Sequence, residues 1–392
     1  MPQDINIVVN KHTPFVVQAF ERIGRVSALD TREITRETVK DADILIVRSE
    51  TKVDKNLLEG SRIRFVGTVT IGIDHVDTEY LSQQGITFVS APGSNSNSVA
   101  EYMTAALLQL AIVKDFSLNG KTLGIVGVGN VGSKVWQKAE ALGMRVLLND
   151  PPLQRQGSRY PLHSLDDLMN ADILTVHVPL TRSGPDATYH LFDETRLRKL
   201  KRGAIFFNTS RGSVMETEGL KRVLRDKHLS AAVLDVWEGE PKIDLSLLDL
   251  VFLGTPHIAG YSLDGKMNAL RMNYEAVCHF MDIPVNYNIM DLIPSPHVLM
   301  LKIDSTEVSI EMVLERIVKQ RYDILLDDRN LRQIVLLPDS DRGRYFSQLR
   351  AEYRVRREFS NLTISGPGKE NNISEMLHLL GFQVKPEERT HG

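Results

Sequence analysis

Short apolar runs alternate with longer segments of helical periodicity over most of this chain. Apolar runs at residues 5–9, 44–47, 65–68 and 86–89 are too short for buried helices and predict strands. Thr13-Pro14 supplies a cap and a first-turn proline for a helix reaching about residue 23. A second series of runs follows at 123–126, 146–148, 173–176, 204–207, 232–234 and 251–253. Two longer stretches, 98–113 and 264–281, carry the 3.6-residue period of helices, the first through Val99, Met103, Ala106, Leu107, Leu110 and Ala111. They are expected to cross from the first series to the second and back again. Strands that alternate with helices predict parallel sheets of the α/β class.

The stretch from Thr122 to Asp150 is the most informative. A strand leads into glycines at Gly127, Gly129 and Gly132, a helical pattern through Val135, Ala139 and Leu142 stops at Gly143, and a second strand ends at Asp150. Gly127 permits a tight turn, Gly129 lets backbone approach a pyrophosphate, and Gly132 lets helix pack on strand. The helix N-terminus offers N–H groups and a positive dipole end to phosphates. Asp150 is placed to accept from both ribose hydroxyls, and its carboxylate would repel a 2′-phosphate, which predicts NAD rather than NADP. The expected fold class is therefore α/β, with two Rossmann-like lobes and a further C-terminal α+β domain. Residues 1–97 with 265–285 form the first lobe, 98–264 the nucleotide-binding lobe and 286–392 the C-terminal domain. The prolines Pro284, Pro294 and Pro296 mark residues 282–296 as a linker. In the last hundred residues, strands are predicted at 298–303, 362–364 and 382–384, and helices at 307–318, 344–353 and 373–380.

Composition narrows the function classes. The chain has 392 residues and a formal charge of −3, so there is no global electrostatic case for nucleic acid or an anionic membrane. The single cysteine, Cys278, excludes an internal disulfide and reads as a small apolar residue in a helix. The start of the chain lacks a basic region followed by an apolar core, and no apolar run is long enough to span a bilayer. A cytoplasmic protein is expected. His75 with Asp74 and Asp77 lacks partners for a metal, and a helix start explains these residues better, so no metal is expected.

Ligands of parallel α/β sheets bind beyond the carboxyl ends of strands. The loops at Arg48-Ser49 and Thr68 to Gly72 are thus either substrate loops or ordinary turns. In the second lobe Arg211, Glu240 and His257 each follow a predicted strand. Oxidation of a 2-hydroxy acid needs a cation for the carboxylate, a base for the hydroxyl proton and a carboxylate to orient that base, and these three supply one of each. Taken singly, the arginine also fits a surface helix start, the glutamate a solvated turn and the histidine a satisfied core residue.

The segments VGVGNVG, NTSRGSVME, VLDVWEGEP and GTPHIAGYS, within residues 40 to 285, resemble the D-isomer-specific 2-hydroxyacid dehydrogenases. The resemblance implies that Arg211, Glu240 and His257 are catalytic. It implies NAD contacts at Gly127, Gly129, Asn130, Val131, Gly132, Asp150, Thr209, Ser210, Arg211, Asp235 and Gly260. Further motifs, VRSxTKV from Val47, FVGTxTxGxDHVD from Phe65, APGxN from Ala91 and the TPHIAGYxLxGK segment ending at Lys266, resemble the branch of that family that acts on 4-phospho-D-erythronate in vitamin B6 synthesis. That likeness implies a phosphorylated 2-hydroxy acid as substrate, substrate contacts at Ser49, Thr70 and Tyr261, and a homodimer formed through the C-terminal extension. Departures are Thr209-Ser210 in place of a common Ala-Cys pair, and Ile71 and Ile73 in place of smaller residues. The alternatives are a dehydrogenase for another phosphorylated 2-hydroxy acid, such as phosphoglycerate, and an NAD(H)-sensing interaction protein. A cluster of Arg342, Arg344, Arg350, Arg354, Arg356 and Arg357 invites a phosphate, as does Arg48, although a solvated helix face paired with its own acids accounts for most of it.

Overall fold

The structure, a computed structural model, describes residues 5–294, 301–302, 309–365 and 373–385. The chain divides into two compact units, residues 1–95 with 262–296, and residues 96–261 with 297–392.

The first unit holds a five-stranded parallel sheet, β1 (Asn6–Asn10), β2 (Arg25–Leu29), β3 (Ile44–Val47), β4 (Phe65–Thr68) and β5 (Thr87–Val89), in the order β2-β1-β3-β4-β5. All four residues of β3 and of β4 are buried, as continuous apolar runs in a parallel sheet require. The helix Leu263–Phe280 covers one face. Ser262 caps it by accepting from the N–H of Gly265 at 2.8 Å, and Met267, Leu270, Tyr274, Val277 and Cys278 enter the core beneath. The close approach is set by Gly67, where a Cβ would lie 2.2 Å from Oδ1 of Asn273. Strand β2 was not legible in the sequence. It is an edge strand with three of its five residues exposed, so no apolar run betrays it.

The second unit holds a six-stranded parallel sheet built from β6 (Thr122–Val126), β7 (Arg145–Asn149), β8 (Ile173–Val176), β9 (Ile205–Asn208), β10 (Ala231–Leu234) and β11 (Leu253–Gly254), in the order β11-β10-β9-β8-β6-β7. The order reverses at β6, where a doubly wound sheet binds its ligand. Period-two alternation sends Ile173, Phe207 and Val233 to one face, and Leu174, Phe206 and Leu234 to the other. The helix Ser96–Val113 covers the first face, with fifteen of its eighteen residues buried.

The expected linker departs from its sequence reading. Ile289–Leu292 forms a 3-10 turn, and Ile289 is fully buried in the core of the first unit. Prolines and polar residues marked a break in regular structure there, but not an exposed one. Beyond residue 297 the described elements belong to the second unit. The helices Ile310–Lys319, Ile324–Arg332 and Asp339–Ala351 send Leu314 and Ile317 into one face of the second core, and Leu331 and Phe346 into the other. The helix Ile324–Arg332 was missed in the sequence because it is mostly polar. It starts at Asp323, whose carboxylate accepts from the N–H groups of Leu325 and Leu326. The last sheet is parallel, β12 (Leu301–Lys302), β13 (Thr363–Ser365) and β14 (Gln383–Lys385) in that order. Parts of the strand predicted at 298–303 and of the helix predicted at 307–318 lie outside the described residues.

Candidate active site

The glycine turn has the geometry its sequence predicts. Gly127 sits at φ +89°, and a Cβ there would lie 2.5 Å from the carbonyl oxygen of His177. A Cβ at Gly132 would lie 1.9 Å from the carbonyl oxygen of Gly127, so the helix Asn130–Ala141 packs on the turn only because residue 132 is glycine. Gly129, by contrast, faces open space, with nothing within 4 Å of an added Cβ. It is the N-cap of that helix and offers no side-chain cap, which leaves the first-turn N–H groups of Asn130 and Val131 to an anion. Asp150 at the end of β7 accepts from the N–H of Val128 at 2.8 Å through Oδ2, and from the N–H of Leu153 at 2.9 Å through Oδ1. Each oxygen keeps lone-pair capacity for a ribose hydroxyl. The residues present thus fit an adenosine diphosphate moiety.

At the same carboxyl ends of the strands, beyond β9, β10 and β11, three loops converge. The first follows β9. Asn208 Oδ1 accepts from the backbone N–H of Ser210 at 3.0 Å and from its Oγ at 2.8 Å, while Asn208 Nδ2 donates to the carbonyl of Arg211 at 2.9 Å. This one buried asparagine shapes the turn that carries Thr209, Ser210 and Arg211. Nη1 of Arg211 donates to the carbonyl of Ser210 at 2.9 Å. Gly212 follows, where a Cβ would lie 2.0 Å from the carbonyl of Trp237, so the arginine loop lies against the loop after β10.

That second loop holds Glu240, and the third holds His257. Nδ1 of His257 and Oε2 of Glu240 are 2.8 Å apart. Oε1 of Glu240 accepts from the backbone N–H of Trp237, also at 2.8 Å. Burial raises the Glu240 pKa, but the charge and hydrogen bond of His257, the Trp237 N–H and the charge of Arg350 outweigh it, and the carboxyl ends below its ordinary value. Glu240 is therefore an anion at neutral pH. It holds the proton of the His257 ring on Nδ1 and leaves Nε2 as the acceptor. His257 itself sits at φ +57°, a left-handed backbone that points to a functional constraint.

Asp235 is 1 % exposed, and burial raises its pKa. Its Oδ1 accepts from Thr255 Oγ1 at 2.7 Å and from the N–H of Ile258 at 2.8 Å, and its Oδ2 accepts from the N–H of Ala259 at 2.9 Å. It braces the histidine loop from both sides of His257. Sequence reasoning did not find this brace, nor its continuation to Tyr102, whose hydroxyl is 2.8 Å from Thr255 Oγ1, and to Trp237, whose indole N–H donates to the carbonyl of Thr255 at 2.9 Å. A second missed residue is His177, after β8. Its ring nitrogens lie 2.9 Å from Thr175 Oγ1 and 3.1 Å from Thr209 Oγ1, and burial pushes its pKa down to about 3, so it is neutral. Its place just past a strand end was the only available signal.

Tyr261 follows the histidine loop. Its N–H donates to the carbonyl of Ile258 at 2.8 Å, which closes the turn containing Gly260. Its hydroxyl accepts from Nη2 of Arg350 at 3.2 Å, and its ring meets Tyr353 edge-on at 5.8 Å.

In the first unit, Ser49 is exposed just past β3, next to Arg48, whose Nη2 is 3.6 Å from Glu50. Thr70 Oγ1 lies 2.7 Å from Thr68 Oγ1 and donates to the carbonyl of Gly72 at 3.0 Å, so this loop is internally braced. His75 joins the brace, with Nε2 3.1 Å from Thr68 Oγ1, a link the sequence did not reveal. Asp77 is the helix start expected, accepting from the N–H of Tyr80 at 2.9 Å. Burial lowers the Lys266 pKa to about 8, and the nearby charge of Arg48 adds to the effect.

Among the described residues no group of three or more His, Cys, Asp or Glu could hold a metal ion, and no helix is long and apolar enough to cross a membrane.

Comparison with known proteins adds to this geometry. Residues 100–259 match the NAD binding domain of the D-isomer specific 2-hydroxyacid dehydrogenases, and residues 292–381 match a domain of unknown function. The chain is 39% identical over 379 residues to an erythronate-4-phosphate dehydrogenase of Pseudomonas syringae pv. syringae, covering 96% of this chain and 99% of that one. It is 44% identical over 356 residues to an erythronate-4-phosphate dehydrogenase of Bacteroides fragilis, covering 90% of this chain and 97% of the other. Among solved structures it resembles D-lactate dehydrogenase of Aquifex aeolicus complexed with NAD and lactic acid, with a TM-score of 0.58 and 27% identity over 71% of this chain and 95% of that one.

Proposed function

This chain belongs to the D-isomer specific 2-hydroxyacid dehydrogenases and to their erythronate-4-phosphate dehydrogenase branch, and from that premise we propose that it oxidises 4-phospho-D-erythronate at carbon 2 with NAD. The product is 2-oxo-3-hydroxy-4-phosphobutanoate, a precursor on the route to vitamin B6. The observation that carries the reading is the 2.8 Å pair between His257 Nδ1 and Glu240 Oε2 on the loops beside Arg211.

NAD, when bound, supplies the hydride acceptor. The chain's own residues do the rest. Gly127, Gly129, Asn130, Val131 and Gly132 hold the pyrophosphate, and Asp150 the adenosine ribose. Thr209, Ser210, Asp235 and Gly260 line the nicotinamide end. Nε2 of His257 accepts the proton of the C2 hydroxyl as the C2–H bond gives up its hydride, and Glu240 stabilises the imidazolium that forms. The Arg211 guanidinium holds the substrate carboxylate and polarises the developing carbonyl. Ser49, Thr70 and Tyr261 are proposed substrate contacts. We further infer a cytoplasmic location and a homodimer formed through residues 286–392; light scattering of the purified protein tests the dimer.

The decisive experiment follows NADH absorbance with 4-phospho-D-erythronate and with 3-phosphoglycerate, each with a 2-oxo acid present to reoxidise any cofactor that stays bound. Turnover selective for phosphoerythronate supports the reading. Selectivity for phosphoglycerate discards the substrate and keeps the triad. Cofactor binding without turnover of either discards the enzyme.

A further inference from the structure

Six arginines cluster in the sequence between residues 342 and 357, and in the structure each has partners within the second unit. Arg342 donates to the carbonyl of Leu337 at 3.0 Å and pairs with Asp339 at 3.2 Å. Arg344 pairs with Asp341 at 2.8 Å. Arg354 pairs with the carboxylate of Asp327, and Arg357 with the side chain of Asn361. Arg356 is buried, donates to the carbonyls of Ser98 and Ala259, and stacks over the Tyr322 ring at 3.9 Å. Of these, Arg356 ties the C-terminal segment to the rest of its unit, Arg354 bonds within the segment, and Arg342, Arg344 and Arg357 pair locally.

Arg350 differs in where it lies. It is half-buried near the end of the helix Asp339–Ala351, and its Nη2 donates to the Tyr261 hydroxyl at 3.2 Å, four residues beyond His257 in the chain. The helix that carries it packs against the turn after Glu240. A Cβ at Gly343 would stand 3.4 Å from Cγ of Lys242 and 3.6 Å from Cγ of Pro241. Its charge is felt at Glu240, where it contributes to keeping that carboxyl ionised. A guanidinium oriented by a phenol, on a helix fixed against the catalytic turn, offers the fork that a pair of phosphate oxygens accepts.

We propose that Arg350 of the C-terminal segment recognises the phosphate of the substrate and so sets the enzyme's preference for a phosphorylated 2-hydroxy acid. This rests on the function proposed above. Arg211 is committed to the carboxylate at carbon 1. The phosphate at carbon 4 lies two carbons beyond the reacting carbinol, so a second cation is needed away from Arg211, and Arg350 on the Tyr261 side supplies it.

The test compares kcat/KM for 4-phospho-D-erythronate and unphosphorylated D-erythronate in the full-length wild type, Arg350→Ala and Arg350→Lys, with inorganic phosphate as a competitive probe. A charge-assisted contact of ordinary strength corresponds to about 10- to 100-fold. In Arg350→Ala the ratio of the two kcat/KM values is expected to fall by that factor, through KM for the phosphorylated acid, and the inhibition constant of phosphate is expected to rise. Arg350→Lys recovers part of the ratio. An equal loss on both substrates, with the ratio intact, marks a packing role and overturns the proposal. So does an unchanged KM for the phosphorylated acid. If the wild type itself shows no preference for that acid, the function fails, and the proposal fails with it; the wild-type arm separates the two failures.

Discussion

The backbone N–H of His257 donates to the carbonyl oxygen of Asp235 across 2.7 Å, while the carboxylate of the same aspartate binds the residues on either side. One buried side chain therefore fixes the loop that presents the proposed base. Asp235→Asn keeps the size but turns one acceptor into a donor. The amide NH2 would face the N–H of Ala259, or else Thr255 and Ile258. An unsatisfied buried donor pair costs about 1–3 kcal/mol. Urea denaturation is expected to show that loss, and kcat to fall by about 10-fold or more as His257 drifts. Unchanged stability and unchanged kcat would mean that the loop is held by other contacts.

A second consequence concerns Glu240. Its carboxyl is held below the ordinary value, so it stays ionised across the neutral range, and its contribution is lost only as pH falls through that lowered value. In Glu240→Gln the imidazolium loses its anionic partner. With the 2.8 Å partner of Nδ1 gone, kcat should fall by about 10²-fold, in the range of general-base effects. An unchanged kcat would remove Glu240 from the role of partner.

Much of this was legible in the sequence, and the reasons differ by element. The glycine turn was readable because each glycine answers a separate steric demand, which the 1.9 Å approach at Gly132 and the open space at Gly129 make explicit. Buried strands such as β3 and β4 announced themselves as apolar runs. Arg211, Glu240 and His257 were readable as residue types past strand ends, yet their meeting depends on three loops that no local pattern encodes. The braces were not legible. Asn208, Tyr102 and Thr255 act through contacts between residues 20 to 153 positions apart or through a single buried turn. Arginine spacing alone could not single out Arg350 either, because only packing shows which of the six guanidinium groups reaches Tyr261.

Two glycines should respond oppositely to the same methyl group. At Gly212 a Cβ would sit 2.0 Å from the Trp237 carbonyl, so Gly212→Ala must push the arginine loop away from the Glu240 loop. Overpacking of this kind costs about 1–3 kcal/mol, and kcat should fall with it. Gly129→Ala meets nothing within 4 Å, so the fold should tolerate it while NAD binding weakens. Thermal melts and NAD titrations of both variants check the pair. Equal destabilisation would contradict the difference in space.

The proposed cofactor preference rests on Asp150. Its carboxylate accepts from the N–H groups of Val128 and Leu153, so its position is fixed, and in the proposed binding mode it would face an adenosine 2′-phosphate. Asp150→Ser retains a cap for Leu153 and removes the charge. The KM for NAD is expected to rise by about 10-fold, the equivalent of one or two lost hydrogen bonds, and measurable turnover with NADP should appear. Failure to gain any NADP activity would show that Asp150 is not what excludes the 2′-phosphate.

The last prediction concerns the attachment of the C-terminal segment. Glu101 and Arg356 are both fully enclosed, 3.9 Å apart. Oε1 of Glu101 accepts from the N–H of Phe359 at 2.8 Å and from Asn97 at 3.0 Å, whereas its buried Oε2 has no hydrogen-bond partner among the described residues. An ionised oxygen there is poorly solvated. Burial, and then the neighbouring Glu358, push its pKa up to about 8 from 4.5, against the pull of Lys138 and Arg356. In the unfolded chain the same carboxyl ionises near its ordinary value. Between those two values unfolding releases a proton, so the group's contribution to stability is complete below the lower value and declines as pH rises through the upper one. The limiting slope is about 1.4 kcal/mol per pH unit. Glu101→Gln keeps an acceptor for Phe359 and mimics the protonated acid without titrating. Its stability relative to the wild type should therefore improve steadily from about pH 5 to about pH 8, as measured by denaturant unfolding of the whole chain. Parallel curves for the two proteins would show that Glu101 is ionised in the folded state and that Arg356 decides its charge.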